Sequence, residues 1–510
     1  MKTCYLLLVW HLSLAALSAQ NAPLYKVIDP EPDNPFYKHW GTGMYPTDSF
    51  YYVLATLHQS NMVVKLNKQG DIVKQIKLTT AHDNLSLVSG TITQDGSLVF
   101  VGHYINWDIS RNQAILVKVD ADLNLQWMKD YSHPLNSNMS IFGTSVVETD
   151  DHQNYIFNTA SFGDSYFLCR TDLNGNLLST HHLIDSLYPN LECPIIKTND
   201  GNLLMCGSAF LDSTNVFSHP VVRKIDLQGN IIWHQTIPIG THSNYKAPLA
   251  TVLQNGGYAV ACTIDSVPTS MFPPQNLYNP IYILNENGIV QQEVRLEGGY
   301  RSKFTTAVIT ASNGDIIGCG RGSAKGWLYR ATSDGNILWQ RYFSDSLQRP
   351  WSLVALSAIA ENPDGSIVSA GYALDSMPNL NPYDSENQNT NIALLVTDAD
   401  GCLVPGCPGE QFITAAPEVS EANTHLPWLS VTPNPAQTVL SVRIPDRIQY
   451  ASTALLQLFN ALGSLVFDRD VESGVSVQEL NVEGVAPGFY YLVLREYGRT
   501  LARQKVMVQR

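Results

Sequence analysis

Arg223-Lys-Ile-Asp-Leu-Gln-Gly-Asn-Ile-Ile-Trp233 is the stretch that decides the fold of this chain. A short apolar run ends in basic residues, a polar turn closes on Gly229, and a second apolar run follows at once. The same phrase stands at Val63 to Val73, at Leu116 to Trp127 and from Cys169, and three further copies turn at Gly288, Gly335 and Gly401. With turns at positions 70, 123, 175, 229, 288, 335 and 401, the copies lie 53, 52, 54, 59, 47 and 66 residues apart. Repetition at this period means supersecondary units that stack on one another.

A second turn is interleaved with the first. Thr-Gln-Asp-Gly-Ser-Leu-Val-Phe-Val-Gly starts at Thr93, and related phrases start at Thr198, Leu253, Ser312 and Asn362. Asp-Gly or Asn-Gly between apolar runs is a hairpin signal, and a two-residue type I′ turn would need φ > 0 at both central residues. Two hairpins per repeat make four strands per repeat, the blade of a β-propeller, and the 3.6-residue periodicity of helical repeats is missing. The expected fold is therefore all-β: a seven-bladed β-propeller over residues 21–409, followed by a small C-terminal β-sandwich. After Gly401 too few residues remain for an outer strand, so the segment around Tyr25 to Ile28 is expected to complete the last blade.

Composition narrows the class further. With 31 Lys and Arg against 45 Asp and Glu the formal charge is −14, while 44% of residues are hydrophobic and 15% charged. Such a chain is too apolar for disorder and too rich in Gly turns for a coiled coil, and its charge disfavours nucleic acid. At the N-terminus, Lys2 precedes an apolar run from Tyr5 to Leu17 and then Ser18, Ala19 and Gln20. That order makes residues 1–20 an expected secretory signal, and the run is too short for a transmembrane segment. No other segment approaches that length of apolar residues.

Residues 410–427 are polar and contain Ala and Pro, as a linker does. Residues 428–510 carry eight basic and seven acidic residues, so the acidity lies upstream. Apolar runs at Val439 to Ile444, Leu455 to Phe459, Phe489 to Leu494 and Gln504 to Val508 are expected strands. Four elements recur here in order: Val431-Thr-Pro433-Asn434-Pro435-Ala436 with its following strand; Leu458 to Gly463; Leu480 with Pro487-Gly488-Phe489-Tyr490; and Arg503-Gln-Lys505-Val-Met-Val508. Pro433 and Pro435 are expected to hold the segment extended, and Gly488 to permit a tight turn. This module resembles the type A C-terminal sorting domain of the type IX secretion system of Bacteroidetes. The resemblance implies export through the periplasm, partners in the type IX translocon and sorting machinery, and delivery to the cell surface or the medium.

The repeats resemble bacterial propeller families carrying Asp-x-x-Gly-Asn-Ile-x-Trp, the pyrroloquinoline-quinone type among them. The likeness consists of turn and packing residues, so Trp127, Trp233 and Trp339 are expected at contacts between blades. Ser333 to Trp339 is similar to the sialidase Asp box, but Asp334 is adjacent to Gly335 and Trp339 comes one residue late.

Beyond Cys4 there are seven cysteines, an odd number that does not describe a disulfide scaffold. Cys206, Cys262 and Cys319 hold equivalent strand positions and are expected in the core. Cys402 and Cys407 bracket a short loop and are expected to pair. His181 and His182 are adjacent, so a strand would send them to opposite faces. Turns such as Asp172 to Asn176 lack the distal carboxylate of a calcium loop. No metal, cofactor or nucleophile–base constellation can be assembled. The expectation is a binding or display module at the bacterial surface, with a glycan or protein ligand on the propeller face and the inserts Ser266 to Tyr282 and Ser376 to Asn391 as candidate contacts. The rival is a secreted hydrolase or lyase acting on glycans or peptides at the axis.

Overall fold

The structure, a computed structural model, describes residues 23–30, 40–56, 60–81, 84–161, 165–183, 188–190, 194–210, 218–240, 242–244, 248–265, 277–296, 303–322, 325–345, 354–375, 389–404, 406–407, 409–413, 429–444, 454–460, 465–471, 477–496 and 499–509. Among these the chain is all-β, with no helix. The first sheet runs Trp40–Pro46, Phe50–Thr56, Asn61–Asn67, Ile72–Leu78, each strand antiparallel to the one before. The second (Ser86–Ile92 to Leu125–Tyr131) and third (Ile141–Glu148 to Leu177–Leu183) repeat this order. In the fourth, Tyr188–Asn190 and Ile195–Lys197 share one partner, Leu203–Phe210, followed by Ser218–Ile225 and Ile231–Thr236. The fifth comprises Leu249–Val252, Tyr258–Ala261, Pro280–Leu284 and Val290–Arg295, accompanied by a small three-stranded sheet of Ser243–Asn244, Ile264–Asp265 and Leu277–Tyr278.

The sixth sheet spans Lys303–Thr310, Ile316–Gly322, Lys325–Ala331 and Ile337–Asp345. The first four residues of the expected linker are instead a strand: Glu410–Ile413 adds to the outer edge of this sheet in parallel, Tyr342 opposite Glu410. The closing sheet holds Val354–Glu361, Ile367–Asp375 and Asn389–Thr397, and its fourth strand is Leu24–Ile28, with Leu24 opposite Val396 and Ile28 opposite Ile392. The N-terminal segment completes the last sheet, as its truncated final copy requires.

Alternation explains how the sheets pack. In the first sheet, Tyr51, Val53 and Ala55 pack into a cluster with Ile392 and Leu394 of the closing sheet, while Tyr52 and Leu54 pack with Leu87 and Phe100 of the second. Both faces of the middle strands are covered, so Asn61–Asn67 and Ser218–Ile225 are nearly or wholly buried, including the polar residues Lys65, His219, Arg223 and Lys224. The fourth strands lie at the periphery; Ile72–Leu78 and Ile231–Thr236 are largely exposed. Apolar clusters join each sheet to the next and the closing sheet to the first.

The repeated turns owe their sequence to one local geometry. At Asp226 the carboxylate accepts from the backbone N–H of Gln228 at 2.9 Å and of Asn230 at 2.8 Å, and the Asn230 amide donates to its other oxygen at 2.8 Å. Gly229 takes φ = +94°, where a side chain is strained. Asp172 does the same, and hydrogen bonds from the Asn176 amide and backbone hold its carboxyl below the usual carboxylate range. The interleaved turns differ from the expected type I′: Gly96, Gly201 and Gly365 have positive φ, but the Asp before each does not. The Gly96 N–H donates to Thr93 O and the Thr93 N–H to Ser97 O, a type I turn with a glycine bulge.

The expected Trp contacts are present. A Cβ on Gly288 would fall 2.5 Å from the Trp233 ring, one on Gly401 2.7 Å from Trp339, and one on Gly175 3.0 Å from Trp127. Each Trp of an outer strand therefore packs on the turn glycine of the next sheet.

The C-terminal residues form two antiparallel sheets. One is Ser430–Thr432, Val439–Arg443 and Val477–Asn481; the other is Leu465–Asp470, Leu455–Asn460, Gly488–Glu496 and Arg499–Val508. Leu440, Val442 and Leu480 of the first share one core with Leu456, Leu458, Leu492 and Val506 of the second.

Candidate functional site

Antiparallel strands put both tight hairpins of every sheet at one end of the ring and the remaining connections at the other. The tight-turn face is stitched from sheet to sheet. Gln94 N–H donates to Glu148 at 2.9 Å, Lys197 pairs with Asp150 at 2.8 Å, Gln254 donates to Ser312 O at 2.8 Å, and Lys68 donates to Asn362 at 3.2 Å. Buried lysines add staples beneath the turns: Lys118 meets Asp95 at 2.9 Å and the Tyr155 hydroxyl of the next sheet at 3.1 Å, and Lys224 meets Asp200 at 2.7 Å.

The axis holds a cavity of about 780 Å³, lined from the first strands of successive sheets. Five of these strands carry a bulge, and the extra residue, Thr42, Val88, Thr144, Thr306 or Ser357, lies on the cavity wall. The Thr42 and Thr144 hydroxyls bond back across the bulge, to Leu54 O at 3.3 Å and Asn158 O at 3.4 Å, whereas the Thr306 hydroxyl donates to Leu356 O of the closing sheet at 2.7 Å. Opposite the bulges stand the closing glycines of the interleaved repeat. A Cβ on Gly102, Gly320 or Gly371 would fall within 2.0 Å of the carbonyl oxygen of Ser86, Phe304 or Ala355. The repeat phrase thus encodes two features, a turn at its first glycine and close backbone approach at its last.

The residues that follow those last glycines are His103, Arg321 and Tyr372. His103 lines the cavity, its ring lies edge-on to Phe142 at 4.8 Å, and its Nδ1 is buried without a hydrogen-bond partner. Burial pushes its pKa down to about 4, so it is neutral at pH 7. Arg321 donates to the Tyr372 hydroxyl at 3.0 Å, and Trp40 lies 5.8 Å from the Tyr372 ring. None of these residues is singled out by a motif; the one signal is their place after a glycine whose structural role is invisible until the bulge is seen.

Of the other sequence candidates, Cys402 and Cys407 are joined in a disulfide with Cα atoms 5.5 Å apart, just ahead of the Glu410–Ile413 strand. Cys206, Cys262 and Cys319 are buried free thiols. His182 stacks on Phe167 at 4.7 Å, whereas His181 packs against Gly229 of the fourth sheet. Residues 266–276 and 376–388 of the two candidate inserts lie outside the described residues, as do residues 1–20, Cys193 and Gly463. Among the described residues no group of three or more His, Cys, Asp or Glu converges as metal ligands would.

In the C-terminal module the motif residues have a shared purpose. Asn434 donates to Lys505 O at 3.0 Å and accepts from Met507 N–H at 2.8 Å, and Ala436 N–H donates to Met507 O at 2.8 Å. The Pro-Asn-Pro-Ala element is therefore pinned to the terminal strand. The chain bends through Pro433 to Pro435, with both X-Pro bonds cis, and is not extended; the two Asn434 bonds draw it inward. Pro487 is exposed just before the strand that opens at Gly488. Gly488 has no left-handed φ, and a Cβ there would meet nothing closer than the Tyr490 ring at 3.7 Å, so the turn does not demand glycine. Tyr490 donates to Ala486 O at 2.6 Å, and Lys505 lies over the Phe489 ring at 4.3 Å.

Residues 430–509 match the family described as the secretion system C-terminal sorting domain. This module is a type IX sorting domain, and the protein is exported to the cell surface or secreted. Among the described residues no helix is long and apolar enough to cross a membrane. No curated relative matches the chain. Solved structures similar to it include a protein of unknown function from Bacteroides caccae, at 17% identity over 63% of this chain and 97% of that one, with a TM-score of 0.38. The GH93 α-L-arabinofuranosidase of Fusarium graminearum is 11% identical over 60% of this chain and 91% of its own, TM-score 0.41. The β-propeller domain of the trilobed protease from Pyrococcus furiosus is 12% identical over 57% and 82%, TM-score 0.35.

Proposed function

We propose that this is an exported binding protein: a seven-bladed β-propeller that captures a ligand on its long-loop face outside the outer membrane, delivered there by its sorting domain. Counting the fifth sheet and its three-stranded companion as one blade gives seven, since their strands continue one another along the chain. On this reading residues 1–20 are a signal, the propeller starts at 21 and runs past the expected limit of 409 to include the edge strand Glu410–Ile413, a linker follows up to 427, and a sorting sandwich at 428–510 is recognised by the type IX translocon and sorting machinery. The resemblance of that module supports an origin in Bacteroidetes.

The observation that carries the binding reading is the difference in chemistry between the two ends of the ring. One end is consumed by structural bonds, whereas the other presents aromatic and cationic groups beside a cavity walled by hydroxyls, glycines and apolar side chains. Trp107 and Leu135 also stand exposed at that end, at 57% and 66%, on loops tied together by Arg111 and Asn138 at 3.0 Å. Exposed aromatic and apolar groups beside a cavity are the features of a recognition surface.

Two measurements test this. Purified protein is screened against glycans, polysaccharides and peptides, with released products assayed in the same wells; binding without turnover is the expected result, and turnover would establish the hydrolase or lyase reading instead. Truncation after Pro427 should trap the chain in the periplasm, and normal surface delivery of that truncation would refute the delivery route.

A further inference from the structure

We propose that the long-loop mouth of the axial cavity binds a carboxylate-bearing saccharide, with Arg321 as the anion contact and Trp40 and Tyr372 as the stacking surface. This rests on the binding reading above. Trp40 and Phe304 stand at or near the start of the inner strands of the first and sixth sheets, each two residues before a cavity-lining threonine, Thr42 or Thr306. Arg321 and Tyr372 pair opposite Phe304 and Ala355, at the same end of the ring. Residues 40, 304, 321 and 372 thus converge on one rim.

Arg321 is held by two contacts: Nη1 donates to the Tyr372 hydroxyl at 3.0 Å, and the guanidinium lies 5.2 Å from the Phe304 ring centroid. Among the described residues it has no carboxylate partner, although the chain carries a formal charge of −14. Two other arginines pair with carboxylates, Arg330 with Asp315 at 2.8 Å and Arg295 with Glu293 at 2.6 Å, while Arg111 and Arg170 bond to the side-chain amides of Asn138 and Asn154. An aromatic plane and a hydroxyl orient the guanidinium and leave the rest of its planar fork for a ligand, and that fork matches a carboxylate in two parallel hydrogen bonds. A neutral ligand seated there would cover the remaining N–H groups without a charged acceptor, which disfavours it.

The rest of the surface selects the body of the ligand. Trp40 is 44% exposed, and its ring is tilted 35° to that of Tyr372, 5.8 Å away. Together the rings offer an apolar, half-open platform that suits the C–H face of a sugar, while the Tyr372 hydroxyl remains within reach of a sugar hydroxyl. Because Tyr372 touches both Trp40 and Arg321, platform and cation lie within about one sugar ring of each other.

The test is titration calorimetry on the full-length protein with a panel of uronate oligomers and their fully methyl-esterified counterparts. At least one acid oligomer should bind, and its ester at least tenfold more weakly. Arg321→Gln should lose tenfold or more for the acid form and flatten its salt dependence, Arg321→Lys should recover part of the loss, and Trp40→Ala should weaken acid and ester alike. Equal affinity for acid and ester, unchanged affinity in Arg321→Gln, or binding of no uronate oligomer would each overturn the proposal. Binding of neutral glycans with acids ignored overturns this assignment but leaves the binding reading; cleavage of a bound uronate oligomer leaves Arg321 in place but overturns binding without turnover.

Discussion

The two ends of the ring are made by the same strands and have opposite chemistry. At the tight-turn end Asp226, Asn230 and Gly229 satisfy one another, and Gln94, Lys197, Gln254 and Lys68 tie each hairpin to its neighbour. At the other end Trp40, Trp107 and Leu135 stand exposed, and Arg321 leans on aromatic rings rather than on a carboxylate. The difference teaches where constraint and function divide. The difference is not one of loop length, since the connections beside Trp107 and Arg321 are only four and two residues long; it lies in the Asp, Asn and Thr side chains of the repeated turns, which bond to their own backbone, whereas the other end carries large side chains without such partners.

Four substitutions would break or sharpen that contrast. The largest effect belongs to the frame that both ends share: Gly320→Val places a Cβ within 1.8 Å of Phe304 O and should cost roughly 3 kcal/mol or more, or prevent folding, as read by thermal unfolding. His103 comes next. Its pKa falls from 6.5 unfolded to about 4 folded, so above pH 6.5 both states are neutral and nothing is lost. As pH drops from 6.5 toward 4 the unfolded chain takes up a proton that the fold refuses, and stability should fall by up to about 3 kcal/mol. Denaturant melts of wild type and His103→Gln across that range should show the difference between them closing with acid; parallel curves would contradict it. On the tight-turn side, Asp95→Ala leaves Lys118 with only the Tyr155 hydroxyl and should cost about 1 kcal/mol in thermal unfolding, a modest figure because the Asp95 carboxylate is exposed. The smallest effect is expected at the open end, where Trp107→Ala should shift stability by less than about 0.5 kcal/mol in the same melts.

Much of the frame was legible because its signals are local. The Asp-x-x-Gly-Asn turns and the four strands per repeat follow from short segments whose turn hydrogen bonds lie within a few residues, and the closure by Tyr25 to Ile28, although it pairs with Ile392 to Leu395 at the far end of the ring, follows from the missing strand of the last repeat copy. The turn type was not legible, since Asp-Gly suits both a type I′ turn and a type I turn with a glycine bulge, and the choice depends on strand register. Glu410–Ile413 was equally hidden: a parallel edge strand needs only backbone partners, and four residues, Glu-Gln-Phe-Ile, are too few to show a pattern beside the Ala- and Pro-containing stretch that follows. In the sorting module the motif pattern was plain, but its bend at Pro433 to Pro435 emerges only once Asn434 meets the strand that ends at Val508.

By itself the sequence determined the all-β class, the repeat period, the packing Trp residues and the export address, because periodic turns and a contiguous motif are carried within single segments. Only the tertiary structure decided the rim. Trp40, Phe304, Arg321 and Tyr372 come from three sheets and more than three hundred residues of chain, and no local pattern links them. Bulges opposite Gly320 and Gly371 set where each second strand meets the axis, and closure of the ring brings position 40 beside position 372.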